Sequence, residues 1–132
     1  MERYVKAFII ISIVYLGISS VIGVMMLTMP TMQKYMFMHV HFMLLGWVSM
    51  MIYGVGYHIL PRFSGKMLKS VAIVKIQFYL ANIGLIGMTA AYTYNLGSSL
   101  LSIFGGMEVL AIMLFFYNMV ATIGPAAEMP KL

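Results

Sequence analysis

Long apolar runs separated by short polar stretches dominate the pattern of hydrophobic and polar positions along this chain. A helix needs about 20 apolar residues to cross the roughly 30 Å hydrocarbon core of a bilayer. Four runs are long enough: Val5–Met29, Met36–Leu60, Ser70–Tyr94 and Leu100–Ile123. The pattern therefore predicts four membrane-spanning helices.

Helix-breaking residues stand at the end of every run. They are Pro30 after the first run, Pro61 with Ser64 and Gly65 after the second, Asn95 to Gly97 after the third, and Gly124 with Pro125 after the fourth. Such residues end helices or begin turns. Because the connections are short, neighbouring helices should be antiparallel. The predicted fold class is all-α, an integral membrane four-helix bundle formed by one domain of residues 1–132.

Composition places the chain in lipid. Hydrophobic residues make up 63% of the sequence and charged residues only 8%, whereas about a quarter of the residues in a soluble domain are charged. A soluble fold of this length could not cover so much apolar surface, so the lipid bilayer is the expected partner. The absence of cysteine excludes disulfides, thiolate metal ligands, iron–sulfur clusters and covalently attached heme.

The net charge is +5, and the basic residues lie near the ends of the apolar runs. Because the basic residues form no basic face, we expect no nucleic acid partner. With a cytoplasmic N-terminus, only Lys34 lies outside, and the other basic residues lie inside: Arg3, Lys6, Arg62, Lys66, Lys69, Lys75 and Lys131. The positive-inside rule therefore predicts that both termini are cytoplasmic. The first run is too long for a signal peptide, and we expect a multi-pass protein of a prokaryotic plasma (inner) membrane.

All three histidines of the chain, His39, His41 and His58, lie in the second run. At 100° per residue, His39 and His41 are about 200° apart around a helix and cannot bind one metal ion side by side. His58 lies roughly 25 Å further along the same helix. Two interpretations remain open from spacing alone: polar residues at the membrane interface, or separate ligands on two sides of the helix. Neutral imidazole is a common ligand of heme iron.

A longer motif surrounds these histidines. It consists of His39-x-His41, then His58 after sixteen residues, then Pro61-x-Phe63-Ser64-Gly65, with Leu44 and Gly54 in register. This segment of 27 of the 132 residues resembles transmembrane helix X of subunit I of the heme-copper oxidases. The resemblance implies that His39 matches the proximal ligand of the high-spin heme and that His41 matches an axial ligand of the low-spin heme.

The chain also departs from that family. Subunit I has many more helices, and its copper site needs further histidines, one of them in a His-Pro-Glu motif, that this sequence lacks. The resemblance therefore implies a heme-binding element without the centre for four-electron oxygen reduction. Whether the chain is an enzyme stays open, with an oxidoreductase as the class to consider.

The sequence thus predicts a membrane-bound b-type cytochrome that holds heme b non-covalently. It would transfer electrons with a redox partner or bind a diatomic gas, O2 or NO. The second iron ligand would come from a symmetry-related histidine in a homodimer, or from Met36, Met38 or Met43. Phe42 and Trp47 would line the cofactor or pack the core. The alternatives are a non-catalytic small subunit or assembly factor of a larger membrane oxidoreductase, and a small transporter or channel.

Glu108 is an isolated acid near the middle of the fourth run. Ionisable residues within a span are costly, which makes each of them a functional hypothesis. Glu108 is either a proton carrier or partner of a heme ligand, or a protonated side chain hydrogen-bonded to a polar group such as Asn82, Gln77 or a group of a neighbouring helix. Small residues on the other helices allow close packing or room for a flat cofactor: Gly17, Ser19, Ser20, Gly23, Ala81, Gly84, Gly87, Gly105 and Gly106.

Overall fold

A computed structural model describes residues 1–124, and this part of the chain is built from helices and the turns between them. Four helical stretches are long and apolar enough to cross a membrane: Arg3–Thr28, Pro30–Phe63, Val71–Thr93 and Ser98–Ile123. The predicted all-α architecture with four spans is confirmed. Two residues used in the sequence predictions lie outside the described residues. They are Pro125, at the predicted end of the fourth helix, and Lys131, which was counted for the predicted orientation.

The second span consists of four helical segments of three kinds, 3-10, α and π. The elements in chain order are α1 (Arg3–Thr28), a 3-10 helix (Pro30–Tyr35), α2 (Met36–His41), a π-helix (Phe42–Ser49), α3 (Met50–Phe63), α4 (Val71–Thr93) and α5 (Ser98–Ile123). A π-helix closes i→i+5 hydrogen bonds and is often found at functional sites. Here it begins directly after His41. Hydrophobic periodicity did not predict it.

The second span ends later than the sequence predicts, and Pro61 does not end it. The helix continues through buried Pro61 to Phe63. It ends at Gly65, whose φ of +64° is left-handed, with backbone bonds from Gly65 to Arg62 and from Lys66 to Pro61. This pair of bonds is the Schellman motif, in which glycine is favoured. Proline is tolerated in the last turn because only one hydrogen bond is lost there.

The bundle consists of two closely packed pairs, α1 against the second span and α4 against α5. Glycine residues allow the two helices of each pair to lie close together. A β-carbon added at Gly54 would lie 3.1 Å from the backbone nitrogen of Ile9, and one at Gly84 would lie 3.0 Å from the carbonyl oxygen of Phe104. Gly17 and Gly106 meet nothing within 4 Å. Close packing therefore explains some of the small residues, whereas others face the outside of the bundle.

The outer surface of the bundle is apolar. On α5, large hydrophobic side chains such as Ile103, Val109 and Phe116 are more than half exposed. An apolar surface of this extent is unfavourable in water and matches the hydrocarbon core of a bilayer. The interior, in contrast, holds paired polar groups: Tyr15 Oη donates to Asn82 Oδ1 at 3.0 Å, and Tyr57 Oη donates to Gln77 Oε1 at 2.5 Å.

Candidate functional site

His39 lies half-buried between α2 and α1. Its Nδ1 is 2.8 Å from the carbonyl oxygen of Ser19 and 3.1 Å from Ser19 Oγ. The same hydroxyl donates to the carbonyl oxygen of His39 at 2.9 Å. Gly23, one turn further along α1, faces the imidazole, and a β-carbon there would lie 2.8 Å from His39 Cε1. Two residues of α1 therefore fix the position of this ring.

His41 is held by residues of α2 and α4. Its Nδ1 is 2.8 Å from the carbonyl oxygen of Phe37. Its ring stacks on the Phe37 ring with centroids 3.9 Å apart, and Phe37 stacks on Tyr92 of α4, again at 3.9 Å. His39 therefore faces α1 and His41 lies on the α4 side, so the two rings are on different sides of the helix, as their spacing predicts.

The hydrogen-bond partners assign the same tautomer to both imidazoles. A carbonyl oxygen can only accept, so Nδ1 of His39 and Nδ1 of His41 each carry a proton. In the neutral ring, Nε2 then keeps its lone pair. Histidines that bind metals typically donate their other ring N–H to a carbonyl or carboxylate, which fixes the ring and raises its basicity. Both histidines are therefore prepared to act as Nε2 ligands.

A cleft lies beside each of these histidines. The His39 cleft, between α1 and the start of the second span, has a volume of about 450 Å³. The His41 cleft, beside Tyr92, has a volume of about 410 Å³. Both volumes are within the range of small-molecule sites, roughly 300–1,000 Å³. Exposed Leu27 borders the first cleft, and exposed Val40 borders the second. Each cleft therefore opens to the outside of the bundle.

The structure does not bring all the predicted site residues together. Phe42 is buried against Tyr15, with ring centroids 5.0 Å apart, and Trp47 is half-buried in the π-helix. Neither residue is among those that line the two clefts. The methionines considered as ligands also separate: Met36 borders both clefts, Met43 borders the His39 cleft, and Met38 packs against the core.

His58 belongs to a different place in the fold. It lies at the other end of the span, where Arg62 Nη1 is 2.8 Å from its Nδ1. A guanidinium group only donates hydrogen bonds, so the imidazole must accept. His58 lines a cavity with Tyr57, Pro61 and Arg62, and this cavity is separate from the clefts beside His39 and His41. The structure therefore does not place His58 with the other two histidines.

Glu108 is buried between α5 and α4, and only 5% of its surface is exposed. Its Oε1 faces Gly84 and has no hydrogen-bond partner among residues 1–124. The side-chain oxygens of Asn82 and Gln77 accept from Tyr15 and Tyr57, whereas Gln77 Nε2, like Glu108 Oε1, has no partner in this part of the chain. Glu108 lines neither histidine cleft. Burial of an acid at this depth favours its neutral, protonated form.

Sequence reasoning did not single out the residues that hold the histidines. The acceptors are the backbone carbonyls of Ser19 and Phe37, which every residue type offers. Gly23 and Ser19 were noted only as small residues of α1. The aromatic pair Phe37 and Tyr92 had a weak signal, because both stand near the ends of predicted spans, where aromatic rings often form an interfacial belt.

Comparisons with known proteins give one informative relative. No protein-family model matches the chain. Over 94 residues, or 67% of the chain, it is 32% identical to Cbb3-type cytochrome c oxidase subunit CcoN1 of Stutzerimonas stutzeri, and it spans 20% of the length of that relative. With the four apolar helices, this similarity fits a multi-pass, redox-related protein of a prokaryotic membrane. Over the matched part of the chain, the similarity supports a relationship to subunit I of the heme-copper oxidases.

Proposed function

We propose that this chain is a membrane-bound b-type heme protein in which Nε2 of His41, His39 or both binds the iron of a non-covalent heme b. The single observation that carries the proposal is the fixed tautomer of the two half-buried imidazoles. Each donates Nδ1–H to a backbone carbonyl at 2.8 Å, which leaves Nε2 free. The similarity to an oxidase subunit supports a redox role.

The donor set fits a porphyrin. Among residues 1–124, no three His, Cys, Asp or Glu side chains lie together as a group that could hold a bare metal ion. A porphyrin provides four nitrogen ligands itself, so one imidazole on each face is sufficient. When bound, heme supplies one-electron redox chemistry and, where one axial position is open, binding of O2 or NO.

The residues of this chain then have defined tasks. Ser19 and the Phe37 carbonyl orient the two imidazoles, and Gly23 leaves space for the His39 ring. Phe37 and Tyr92 form an aromatic wall beside His41. The apolar borders of both clefts exclude water and lower the local dielectric, which influences the potential of a redox group.

An absorption spectrum of the detergent-purified protein tests this function. We expect a heme spectrum with a sharp reduced α-band. If carbon monoxide leaves the reduced spectrum unchanged, both axial positions are held by the protein and electron transfer is the function. If carbon monoxide shifts it, one position is accessible and the function is gas binding. A protein that binds no heme even after reconstitution would contradict the proposal and favour the small-subunit or assembly-factor alternative.

We further propose that a second copy of the chain completes the site. Histidines in the described chain occur only at positions 39, 41 and 58, and the His39 and His41 rings face different sides. In a dimer with a two-fold axis normal to the membrane, equivalent histidines lie at equal depth and can approach one heme from both faces. The clefts open outward, which suits a cofactor shared between copies.

Native mass measurement of the heme-loaded protein tests the dimer. We expect a dominant species of two chains, and dissociation of the dimer should release the heme or convert it to a five-coordinate spectrum. A monomer that retains a six-coordinate heme would contradict the shared site. The second axial ligand would then come from the same chain, and Met36, which borders both clefts, would be the candidate.

A further inference from the structure

A third cavity, the one that His58 lines, lies at the opposite end of the second span from the His39 and His41 clefts. It has a volume of about 280 Å³ and is bordered by the start of α1, the last turns of α3 and the loop before α4. Its lining includes Tyr57, His58, Arg62, Lys66 and Met67. The proposed heme function does not involve this cavity.

Positive charge is concentrated around this cavity. The basic residues at this end of the bundle are Arg3, Lys6, Arg62, Lys66, Lys69 and Lys75. The chain has three acids: Glu2 lines the cavity, Glu108 is buried in the bundle, and Glu128 lies outside the described residues. Six basic side chains therefore stand against one acid among the described residues at this end. Such a surface attracts anions.

Arg62 keeps its positive charge available. Its side chain is exposed, and it contacts the His58 ring. An imidazole is either neutral or positively charged, so His58 provides no counter-charge for the guanidinium group. The ammonium group of Lys66 contacts the carbonyl oxygen of Gly124 at the end of α5. This contact anchors Lys66 through a neutral group and leaves its charge uncompensated too.

Two strongly exposed apolar side chains accompany these cations. Phe63 is 86% exposed and Met67 is 93% exposed, and each directly follows a basic residue, Arg62 or Lys66. Alternating basic and apolar side chains at the end of a span match the boundary between headgroups and acyl chains. A free anion would use only the basic residues, whereas a phospholipid uses both kinds.

We propose that this cavity binds the headgroup of an acidic phospholipid, with Arg62 and Lys66 contacting the phosphate and Phe63 and Met67 lying against the acyl chains. Basic pockets between membrane helices bind anionic headgroups in this way. Guanidinium is suited to phosphate because its planar fork donates two parallel hydrogen bonds. The site does not depend on heme binding.

Native mass spectrometry of the full chain with added phosphatidylglycerol or phosphatidylcholine tests the proposal. We expect one retained phosphatidylglycerol and no comparable retention of phosphatidylcholine. Arg62→Gln should weaken phosphatidylglycerol binding about tenfold, since a charge-assisted contact to phosphate is lost. Lys69→Gln is the matched control: it removes one positive charge from the same end of the bundle, its side chain is exposed, and it does not line the cavity. It should bind phosphatidylglycerol like the unmodified chain.

Several outcomes would overturn the proposal. Equal retention of the two lipids, or equal weakening by Arg62→Gln and Lys69→Gln, would show unspecific attraction without a site. Displacement of phosphatidylglycerol by excess inorganic phosphate would show a simple anion site in place of a phospholipid site. Phe63→Ser separates the same alternatives, because it should weaken phosphatidylglycerol retention only if the acyl chains contribute. Unchanged helical circular dichroism of each variant verifies that it is folded.

Discussion

Replacing both His39 and His41 with alanine is expected to abolish heme binding by the purified chain, whereas His58→Ala is expected to retain it. The two imidazoles are the ones whose Nδ1–H is held by a backbone carbonyl. His58 instead contacts Arg62 at the opposite end of the span. Loss of a partner that orients a metal ligand costs roughly 10–100-fold in metal affinity, and loss of the ligand itself should cost more. Titration of the apo protein with hemin, followed by absorption, measures this.

The single substitutions show which imidazole binds the iron. If the two histidines serve two separate hemes, each single variant should lose one heme and keep the other. If one heme is shared between two copies through one histidine, only that substitution should remove the heme. Because His58→Ala keeps the number of imidazole ligands beside the clefts unchanged, it controls for general loss of histidine. Heme retained by the double variant at unchanged affinity would exclude both residues as ligands.

The four spans could be predicted because lipid imposes a simple requirement on them. A helix that crosses a bilayer must be long and apolar, and its backbone groups must be hydrogen-bonded within the helix. The long apolar runs are visible in the sequence. The finer structure of the second span could not be predicted. Pro61 with Ser64 and Gly65 was expected to end that helix after Leu60; the helix continues through Pro61 to Phe63, and Gly65, in the left-handed conformation, ends it. Proline removes one hydrogen bond, whereas the cap satisfies several carbonyls.

The π-helix Phe42–Ser49 had no sequence signal that hydrophobic periodicity could detect. One physical factor is visible in the structure. The Tyr15 ring of α1 occupies the space beside Gly46, where a β-carbon would lie 2.5 Å from the ring. This local fit depends on a residue that is distant in the sequence, and hydrophobic periodicity carries no information on such a contact.

In the candidate site too, some features could be predicted from the sequence and others could not. The opposite directions of His39 and His41 follow from helix geometry, and the structure places one ring at α1 and the other beside Tyr92. Their acceptors are backbone carbonyls, which sequence patterns cannot identify. For Glu108, the sequence indicated an anomalous acid, and the structure places its Oε1 against Gly84 of α4, a neighbour that sequence patterns cannot identify.

Gly23→Ala is expected to displace the His39 imidazole while the helix remains intact. The added β-carbon would lie 2.8 Å from His39 Cε1, which is closer than the two carbons can approach, so the ring must move away from Gly23, and its hydrogen bond to the Ser19 carbonyl is disturbed. The ring end of a side chain moves more easily than backbone, and alanine favours helix by about 1 kcal/mol over glycine. We therefore expect unchanged or higher thermal stability together with loss of the Nδ1–H···O=C hydrogen bond. Nitrogen NMR of the imidazoles in the apo protein detects this loss.

Gly17→Ala is the matched control, because it makes the same change in the same helix at a position with nothing within 4 Å. It should gain the same helix propensity and leave the His39 signals unchanged. If His39 binds iron, heme affinity should fall roughly 10–100-fold in Gly23→Ala, as it does when the partner of a metal ligand is lost, and stay constant in Gly17→Ala. An altered His39 signal with unchanged heme affinity would show that the ring is positioned by Gly23 but does not bind the iron. An unaltered His39 signal in Gly23→Ala would contradict the packing of His39 against α1, and with it the tautomer on which the proposed function rests.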